Sequence, residues 1–353
     1  MITRLCVQGL RNLREVELRP GATLNVLIGA NGAGKSSLLE ALGLFGLGRS
    51  FRTPRLRHLI ASAAEAAHVY VETEGGHRAG IGIQRRGDLQ LRLDEHDVAL
   101  HQLIARFPLL LMEPGSWDHF SAGAMARRRL LDWGLFHVEP EFLRQWQRYQ
   151  RALEQRNSLL RQGRNDDALY SVWEAQMLPA ALQLSQWRQS YLQRLRQDLA
   201  VDSAHWLPEQ NIDIRLEPGW EGDLQEVWTS GRQRDLQRGH TQRGAHRADV
   251  VLSIDGRPAQ EILSRGQMKI WTTLFRLKQL SILQEQGIRP CLLMDDFASE
   301  LDQHYRGLCL QMLQSLRAQV WLTSTDDYWL QQTEGVERMM FHVEQGRIHN
   351  MMG

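Results

Sequence analysis

The stretch that most constrains this chain runs from Gly29 to Ser36, because its letters GANGAGKS match the pattern G-x-x-x-x-G-K-S/T. The apolar run LNVLI precedes it and the run LLEALGLFGL follows it, which predicts a strand, a loop and a helix in that order. Glycines allow the backbone of such a loop to wrap closely, so that its N–H groups point at phosphate oxygens. The sequence therefore predicts an α/β protein that binds a nucleotide.

The ligand that this loop predicts is ATP together with Mg²⁺. Lys35 would reach the β- and γ-phosphates, and the Ser36 hydroxyl would bind the Mg²⁺. The helix that begins near Ser36 adds the positive end of its dipole. The predicted ATP-binding residues of the loop are Gly29, Ala30, Asn31, Gly32, Ala33, Gly34, Lys35, Ser36 and Ser37.

A pair of carboxylates supplies the other half of a hydrolytic site. Asp295 and Asp296 follow the apolar run CLLM, where a buried strand would end at the carboxyl edge of its sheet. Ligands bind at that edge in parallel α/β sheets. Asp295 suits the carboxylate on the metal side, and Asp296 suits the group that orients or deprotonates the attacking water. Because aspartate is one methylene shorter than glutamate, Asp296 predicts slow hydrolysis, which fits a switch.

Composition is typical of a soluble protein. The 353 residues carry a net charge of +1, so any attraction to a polyanion must come from local patches. The three cysteines, Cys6, Cys291 and Cys309, are odd in number, which favours reduced side chains and a cytoplasmic location. No apolar run approaches the ~18 residues that span a bilayer, so we expect no membrane association.

The pattern of the chain changes twice along its length. Residues 1–115 alternate like strands around the phosphate loop, residues 116–235 place apolar side chains at helical spacing, and strand-like runs return in residues 236–353. We therefore expect an α/β ATPase lobe made of the first and last segments, with a mixed sheet and an antiparallel β-subdomain. The middle segment is expected to form an inserted, all-helical arm lobe.

Several motifs resemble those of known ATPases. LSRGQ (residues 263–267) resembles the signature motif of ABC-type ATPases, and SELD (residues 299–302) resembles their D-loop. GRSFRT, RRRLLDWGLFH, GAHRAD and DDFASELD resemble, in order along nearly the whole chain, the RecF family of bacterial recombination-mediator ATPases, which are related to SMC proteins. The resemblance implies an ABC-type P-loop ATPase fold in which two lobes face each other. Ser264, Gly266 and Gln267 of one chain would then contact the γ-phosphate held by Lys35 of the other.

Two positions depart from the usual pattern of such ATPases, and the role of a third position stays open. Glu113, in LLMEPGSW, stands where many such ATPases have a polar Q-loop residue. Thr325 or Asp326, in TSTD, would replace the histidine switch of transporters. His246, in GAHRAD, is either a hydrogen-bonded structural histidine or a functional one.

The resemblance also implies a function and partners. RecF-like proteins bind DNA at gaps or junctions as ATP-dependent homodimers, and with RecO and RecR they promote RecA loading in recombinational repair and replication restart. A weak DNA-dependent ATPase activity would act as the switch. Arginine clusters could bind DNA phosphates without reading sequence: Arg49, Arg52, Arg55 and Arg57; Arg127, Arg128 and Arg129; Arg243 and Arg247.

Three alternatives stay open on the sequence alone. The ATPase subunit of a membrane transporter would carry a helical insert at a similar position, although the stretch after residue 116 is long for one. An SMC-like architectural ATPase would need a long coiled coil, and the arm is too short for that. A DNA clamp with a vestigial nucleotide site is opposed by the intact Lys35, Ser36 and Asp295.

Overall fold

The chain folds into two compact units in the computed structural model, which describes residues 1–86, 88–114, 119–164, 166–207, 211–326, 328–329 and 337–351. One unit comprises Met1–Trp117 together with Leu280–Gly353, and the other comprises Asp118–Gln279. Within the described ranges, no helix combines the length and the apolar character needed to cross a membrane.

Strands and helices alternate in the first unit, whereas helices dominate the second. The strands are β1 (Ile2–Leu10), β2 (Leu13–Leu18), β3 (Leu24–Ile28), β4 (Ala66–Thr73), β5 (Arg78–Gln84), β6 (Leu89–Leu93), β7 (His96–Asp97), β8 (Leu109–Met112), β9 (Ile212–Glu217), β10 (Asp249–Ile254), β11 (Arg257–Pro258), β12 (Cys291–Met294), β13 (Gln319–Ser324), β14 (Arg338–Glu344) and β15 (Arg347–Met351). The helices are α1 (Lys35–Leu47), α2 (Leu100–Arg106), α3 (Ala124–Val138), α4 (Phe142–Arg161), α5 (Asp167–Trp206), α6 (Leu224–Arg238), α7 (Ala259–Ile262), α8 (Arg265–Glu285), α9 (Phe297–Glu300) and α10 (Gln303–Ser315), with 3-10 turns at Leu56–Leu59 and Ala245–Arg247.

The first unit contains a mixed sheet with the order β15-β14-β3-β13-β12-β8. Its strands β8, β12, β13, β3 and β14 run parallel, and β15 pairs antiparallel with β14. Every residue of β3 and of β13 is buried, as expected of central parallel strands that are covered on both faces. The carboxyl ends of these parallel strands therefore meet at one edge of the sheet.

A second, antiparallel sheet of the same unit has the order β2-β1-β4-β5-β6-β7. Helix α1 joins one hydrophobic core with both sheets: Leu38, Leu42 and Phe45 cluster with Val7 of β1 and Leu293 of β12. The buried face of α1 extends around nearly the whole helix, since its Leu, Phe, Ala and Gly residues leave no polar stripe. This packing fixes the beginning of α1, and with it the phosphate loop.

The second unit combines helices α3–α6 with a three-stranded sheet in the order β11-β10-β9. The prediction of an all-helical arm was therefore wrong in one respect, because β9 lies inside residues 116–235 and pairs antiparallel with β10. Helices α4 and α5 form an antiparallel hairpin, in which Arg156 of α4 contacts Glu174 of α5.

The predicted lobe boundaries can be compared with these units. The first, between residues 115 and 116, lies outside the described residues. The second, between residues 235 and 236, differs from the division between Gln279 and Leu280. The reason is β10, which pairs with β9 and β11 and not with a sheet of the first unit.

Candidate active site

The phosphate loop follows β3 at the carboxyl edge of the mixed sheet and ends at the first turn of α1. Gly32 and Gly34 have φ values of 79° and 122°, a region that favours glycine. Gly29 leaves no room for a side chain, since a Cβ there would lie 2.2 Å from the carbonyl oxygen of Val343. The loop thus adopts its path because small residues stand at these positions.

Hydrogen bonds from two residues outside the loop, Asn12 and Gly346, hold it in place. The Asn12 side chain, in the turn between β1 and β2, donates to the carbonyl oxygens of Gly32 (3.2 Å) and Ala33 (3.0 Å), and Ser37 Oγ donates to Asn12 Oδ1 (3.0 Å). The N–H of Gly346 also donates to the Ala33 carbonyl (2.8 Å). The Ser37 hydroxyl therefore helps to hold Asn12 against the loop.

Lys35 is 8% exposed, and its Nζ donates to the carbonyl oxygens of Gly29 (2.5 Å) and Ala30 (3.0 Å). Burial lowers the pKa of Lys35, and the negative charges of Asp295 and Asp296 oppose that shift. The ammonium group is thus held against the backbone of the loop.

A chain of hydrogen bonds links the loop to the two aspartates. Ser36 Oγ donates to Asp295 Oδ1 (3.0 Å), and the Thr323 hydroxyl donates to the same oxygen (2.7 Å). The backbone N–H of Asp296 donates to the Thr323 hydroxyl (2.7 Å). Asp296 has a φ of 54°, so this contact also fixes a left-handed backbone at that position.

The register of the sheet explains why these side chains meet. Met294 of β12 pairs with Leu322 of β13 and with Met112 of β8, so Asp295 is flanked by Thr323 on one side and Glu113 on the other. Burial and the charge of Asp295 raise the pKa of Glu113. Thr323 was not among the predicted site residues; the signal in the sequence was a hydroxyl that directly follows the apolar run VWL.

A pocket of about 550 Å³ opens in front of this chain of hydrogen bonds. Besides the loop and the two aspartates, two arginines reach it, Arg11 and Arg52. Arg11 forms a bidentate ion pair with the fully buried Glu40 of α1, with N···O distances of 2.9 and 3.0 Å. The lining residues are Arg11, Asn12, Asn31, Gly32, Gly34, Lys35, Ser36, Ser37, Arg52, Pro114, Asp295, Asp296 and Thr323.

The signature residues Ser264, Gly266 and Gln267 lie in the second unit, where α8 begins. Ser264 Oγ accepts a hydrogen bond from the Gln267 N–H (3.2 Å), and Gln267 Oε1 accepts one from the Ser264 N–H (2.9 Å). This reciprocal pair is a capping box. Ser264 and Gly266 are exposed, so they are open to a ligand from outside.

The positions left open by the sequence have distinct surroundings. Thr325 Oγ1 donates to Asp326 Oδ2 (3.3 Å). His246 Nε2 lies 3.0 Å from the carbonyl oxygen of Thr241 and must carry the proton there, so Nδ1 accepts from the Tyr149 hydroxyl (2.7 Å). Burial lowers the pKa of His246 to about 4, which favours a neutral, structural histidine.

The arginine clusters divide into exposed and engaged members. Arg127 makes a two-pronged ion pair with Asp249 at 2.8 and 2.7 Å, and Arg128 donates to the carbonyl oxygen of Ala248. These two side chains are therefore held inside the second unit and are not free to meet DNA. The exposed members are Arg49, Arg52, Arg55, Arg57, Arg129, Arg243 and Arg247.

The fold and the site define a P-loop ATPase of the SMC class. The RecF/RecN/SMC N terminal domain family matches residues 1–349. The DNA replication and repair protein RecF of Pseudomonas putida (strain GB-1) is 40% identical over 358 residues, covering 98% of this chain and 97% of that protein. The RecF of Pseudomonas syringae pv. syringae (strain B728a) is 37% identical over 357 residues, with the same coverage. This chain belongs to the RecF family.

Solved structures agree with this assignment at the level of the fold. The recombination mediator protein RecF-ATPrS of the RecFOR pathway has a TM-score of 0.85 at 23% identity, covering 100% of this chain and 98% of that one. An Smc head bound to the C-winged helix domain of ScpA has a TM-score of 0.60 at 12% identity, covering 99% and 97%. The predicted fold class and the predicted RecF resemblance are confirmed, and neither the transporter nor the architectural alternative is favoured.

Proposed function

We propose that this chain is an ATP-dependent DNA-binding protein of replication and recombinational repair, in which slow ATP hydrolysis acts as a switch. The observation that carries the proposal is the hydrogen-bonded group Ser36, Asp295 and Thr323 beside Lys35, in front of a pocket of about 550 Å³. The full-length identity to proteins named for DNA replication and repair supports the cellular role.

The residues of the pocket divide the work of hydrolysis. Lys35 exchanges its two carbonyl partners for β- and γ-phosphate oxygens, and the loop N–H groups bind the remaining phosphate oxygens. Asp296 orients the attacking water and accepts its proton. Thr323 holds Asp295 and the backbone of Asp296 together, so that the metal side and the water side of the site keep a fixed separation.

The oxygen ligands beside the loop suit Mg²⁺. Ser36 Oγ and Asp295 Oδ1 are hard oxygen donors 3.0 Å apart, which is the type of ligand that Mg²⁺ prefers. When bound there, Mg²⁺ would neutralise phosphate charge that develops during transfer. Ser36 and Asp295 are the residues that would hold it.

The partners of the proposed reaction are a second copy of this chain, DNA at gaps or junctions, and the RecO and RecR proteins. A solved structure of the same fold is named for the RecFOR pathway, which supports RecO and RecR as partners. The exposed Ser264 and Gly266 support an ATP-dependent homodimer, in which the signature of one chain meets the nucleotide of the other.

The test measures binding of the full chain to gapped DNA and to lipid vesicles, each with and without ATP. We expect ATP-dependent binding to gapped DNA and none to vesicles. Lys35→Met should abolish tight ATP binding and DNA retention, because it removes the cation of the loop. Arg92 is an exposed cation on β6 of the same unit. Arg92→Met is therefore the matched control, and it should change neither ATP binding nor DNA retention. Normal nucleotide affinity in a folded Lys35→Met chain would place the ATP site elsewhere.

A further inference from the structure

Residues 239–247, here called the anchored loop, are fixed by side chains from several directions. The N–H and the hydroxyl of Thr241 donate to Asn157 Oδ1 (2.8 and 2.7 Å), and Arg188 donates to the Ala245 carbonyl (2.7 Å). Trp228 Nε1 donates to the Arg243 carbonyl (2.9 Å), and His246 bridges Thr241 and Tyr149. The backbone of the loop therefore has a single arrangement, although much of its surface faces outward.

A buried ion network beneath the loop contributes to this arrangement. Arg156 and Glu174 are both fully buried and form an ion pair at 3.0 Å. Arg156 also donates to Asp235 (2.8 Å) and to the Thr241 hydroxyl (2.8 Å). Burying charges requires a desolvation cost that their attraction seldom exceeds, so such networks contribute little to stability and can instead fix one conformation. Here the conformation that is fixed is that of the anchored loop.

The outer face of this region presents arginines that lack acidic partners. Arg243 and Arg247 extend from the anchored loop, and Arg234 and Arg238 extend from the last turns of α6. All four side chains are exposed, and no carboxylate among the described residues forms an ion pair with any of them. In contrast, Arg215 and Arg257, exposed elsewhere in the same unit, lie beside Glu217 and Glu261.

Three of these arginines line a cleft of about 590 Å³, here called the arm cleft: Arg234, Arg238 and Arg243. Among the described residues that line it, the one carboxylate is that of Asp235, which already accepts hydrogen bonds from Arg156 and from the Gln242 N–H. Gly231 also lines the cleft from within α6, where glycine destabilises a helix, and a Cβ there would meet nothing within 4 Å. Packing therefore does not require this glycine, and its effect is to leave the cleft open.

We propose that the arm cleft and the anchored loop bind the backbone phosphates of duplex DNA, a proposal that rests on the proposed DNA-binding function. Guanidinium groups form bidentate hydrogen bonds with phosphate oxygens, and a fixed loop backbone reduces the entropy that is lost on binding. The only aromatic side chain in the cleft wall is Trp228, which is 1% exposed, so no platform for stacking unpaired bases is present in the described lining. This favours duplex over single-stranded DNA.

The test uses the full chain with ATP and a labelled duplex of arbitrary sequence, with fluorescence anisotropy measured at several salt concentrations. Arg238→Glu combined with Arg243→Glu should weaken binding about tenfold or more and lower the salt slope by about 2, since each phosphate contact contributes about 0.9. Arg215→Glu combined with Arg257→Glu changes the net charge of the same unit by the same amount. This control pair should leave the duplex affinity and the salt slope unchanged. ATP affinity should be normal in all variants.

A second variant separates the cleft from its charge. Gly231→Leu fills the cleft without changing the net charge, and all four arginines remain. It should therefore also weaken duplex binding. A melting curve verifies that the variant is folded. Equal weakening by the control pair, or unchanged duplex binding by both cleft variants, would overturn the proposal. Loss of RecR or RecO binding with normal DNA binding would reassign the cleft to an acidic protein and overturn it as well. If the wild-type chain binds no DNA with ATP, the proposed function itself fails.

Discussion

Thr323 connects the two aspartates of the candidate site through one hydroxyl group. It donates to Asp295 Oδ1 and accepts from the Asp296 N–H, both at 2.7 Å. A hydrogen bond to a charged group contributes about 1.5–3 kcal/mol, and the loss of one partner leaves a buried donor or acceptor unsatisfied. Since Asp296 holds a left-handed backbone at φ 54°, this hydroxyl also determines where the Asp296 side chain points. We therefore infer that Thr323 acts by positioning Asp295 and Asp296.

Thr323→Val keeps the shape of the side chain and removes the hydroxyl. We expect ATP affinity within about twofold of wild type and a fall in kcat of roughly 10- to 100-fold, because a displacement of about 1 Å at a catalytic group has effects of that size. Single-turnover hydrolysis and nucleotide titration measure the two quantities. Thr323→Ser restores the hydroxyl and should restore most of the rate. Asp296→Asn gives the reference value of kcat for a site that has lost the base itself.

An equal loss of ATP affinity and of rate in Thr323→Val would contradict a positioning role, because it would show that the whole pocket had collapsed. Failure of Thr323→Ser to recover activity would point to the methyl group and to packing.

At the scale of residues, the sequence predicted the side chains whose function depends only on a short local motif. Lys35, Ser36 and Asp295 belong to this class. Thr323 does not, because its partners come from the lateral pairing of β13 with β12, which no short stretch specifies. Arg127 could not be interpreted either, because its partner Asp249 lies 122 residues away.

At the scale of elements, the clearest signals were also local. The strand, loop and helix around residues 24–47 were predicted because a buried strand, a glycine-rich turn and a helix follow one another without a gap. Strand β9 was missed although Ile212, Ile214 and Leu216 alternate with polar residues. Six residues give only a short pattern, and the surrounding helices α5 and α6 dominate the composition of that region.

Helix α3 carries a half-buried histidine, His137, that makes the stability of the arm depend on pH. His137 packs edge-on against Trp133 and Phe136, and its Nε2 has no hydrogen-bond partner among the described residues. Burial lowers the pKa of His137 from 6.5 to about 4. Below pH 6.5 the unfolded chain therefore binds a proton that the folded chain does not, and stability falls until about pH 4. The full loss is on the order of 3 kcal/mol.

His137→Leu should flatten this part of the pH profile. Thermal unfolding of the full chain, followed between pH 7 and pH 4, should show a smaller decrease in Tm for the variant than for wild type. His205→Leu, at an exposed position of α5 in the same unit, is the matched control and should retain the wild-type slope. The same acid-induced decrease in His137→Leu would show that other groups, such as His246, account for it.

At the scale of the whole molecule, the proposed homodimer depends on whether Ser264 acts on the nucleotide of a second copy. Two roles of Ser264 have to be distinguished, a helix cap and a signature residue. Its hydroxyl accepts a hydrogen bond from the Gln267 N–H, and the residue is also exposed at the start of α8. A cap alone predicts that its loss lowers stability by about 1 kcal/mol and leaves the chemistry intact. A signature that acts on a partner's nucleotide predicts a defect that a second chain can correct.

Mixing two inactive variants decides between these roles. Ser264→Arg should leave ATP binding by the monomer nearly intact, because Lys35 and Ser36 are unchanged, but should block ATP-driven dimerisation, because a bulky cation replaces the hydroxyl. Lys35→Met should lose the nucleotide and retain a sound signature. In a heterodimer, one composite site has both defects, and the other joins an intact phosphate loop to an intact signature. We expect the mixture to hydrolyse ATP faster than either variant alone, with a rate that follows the concentration of heterodimer. If heterodimers form from folded chains and no activity returns, the composite site made of two chains is wrong; a Ser264→Arg chain that is active by itself would show that Ser264 only caps α8.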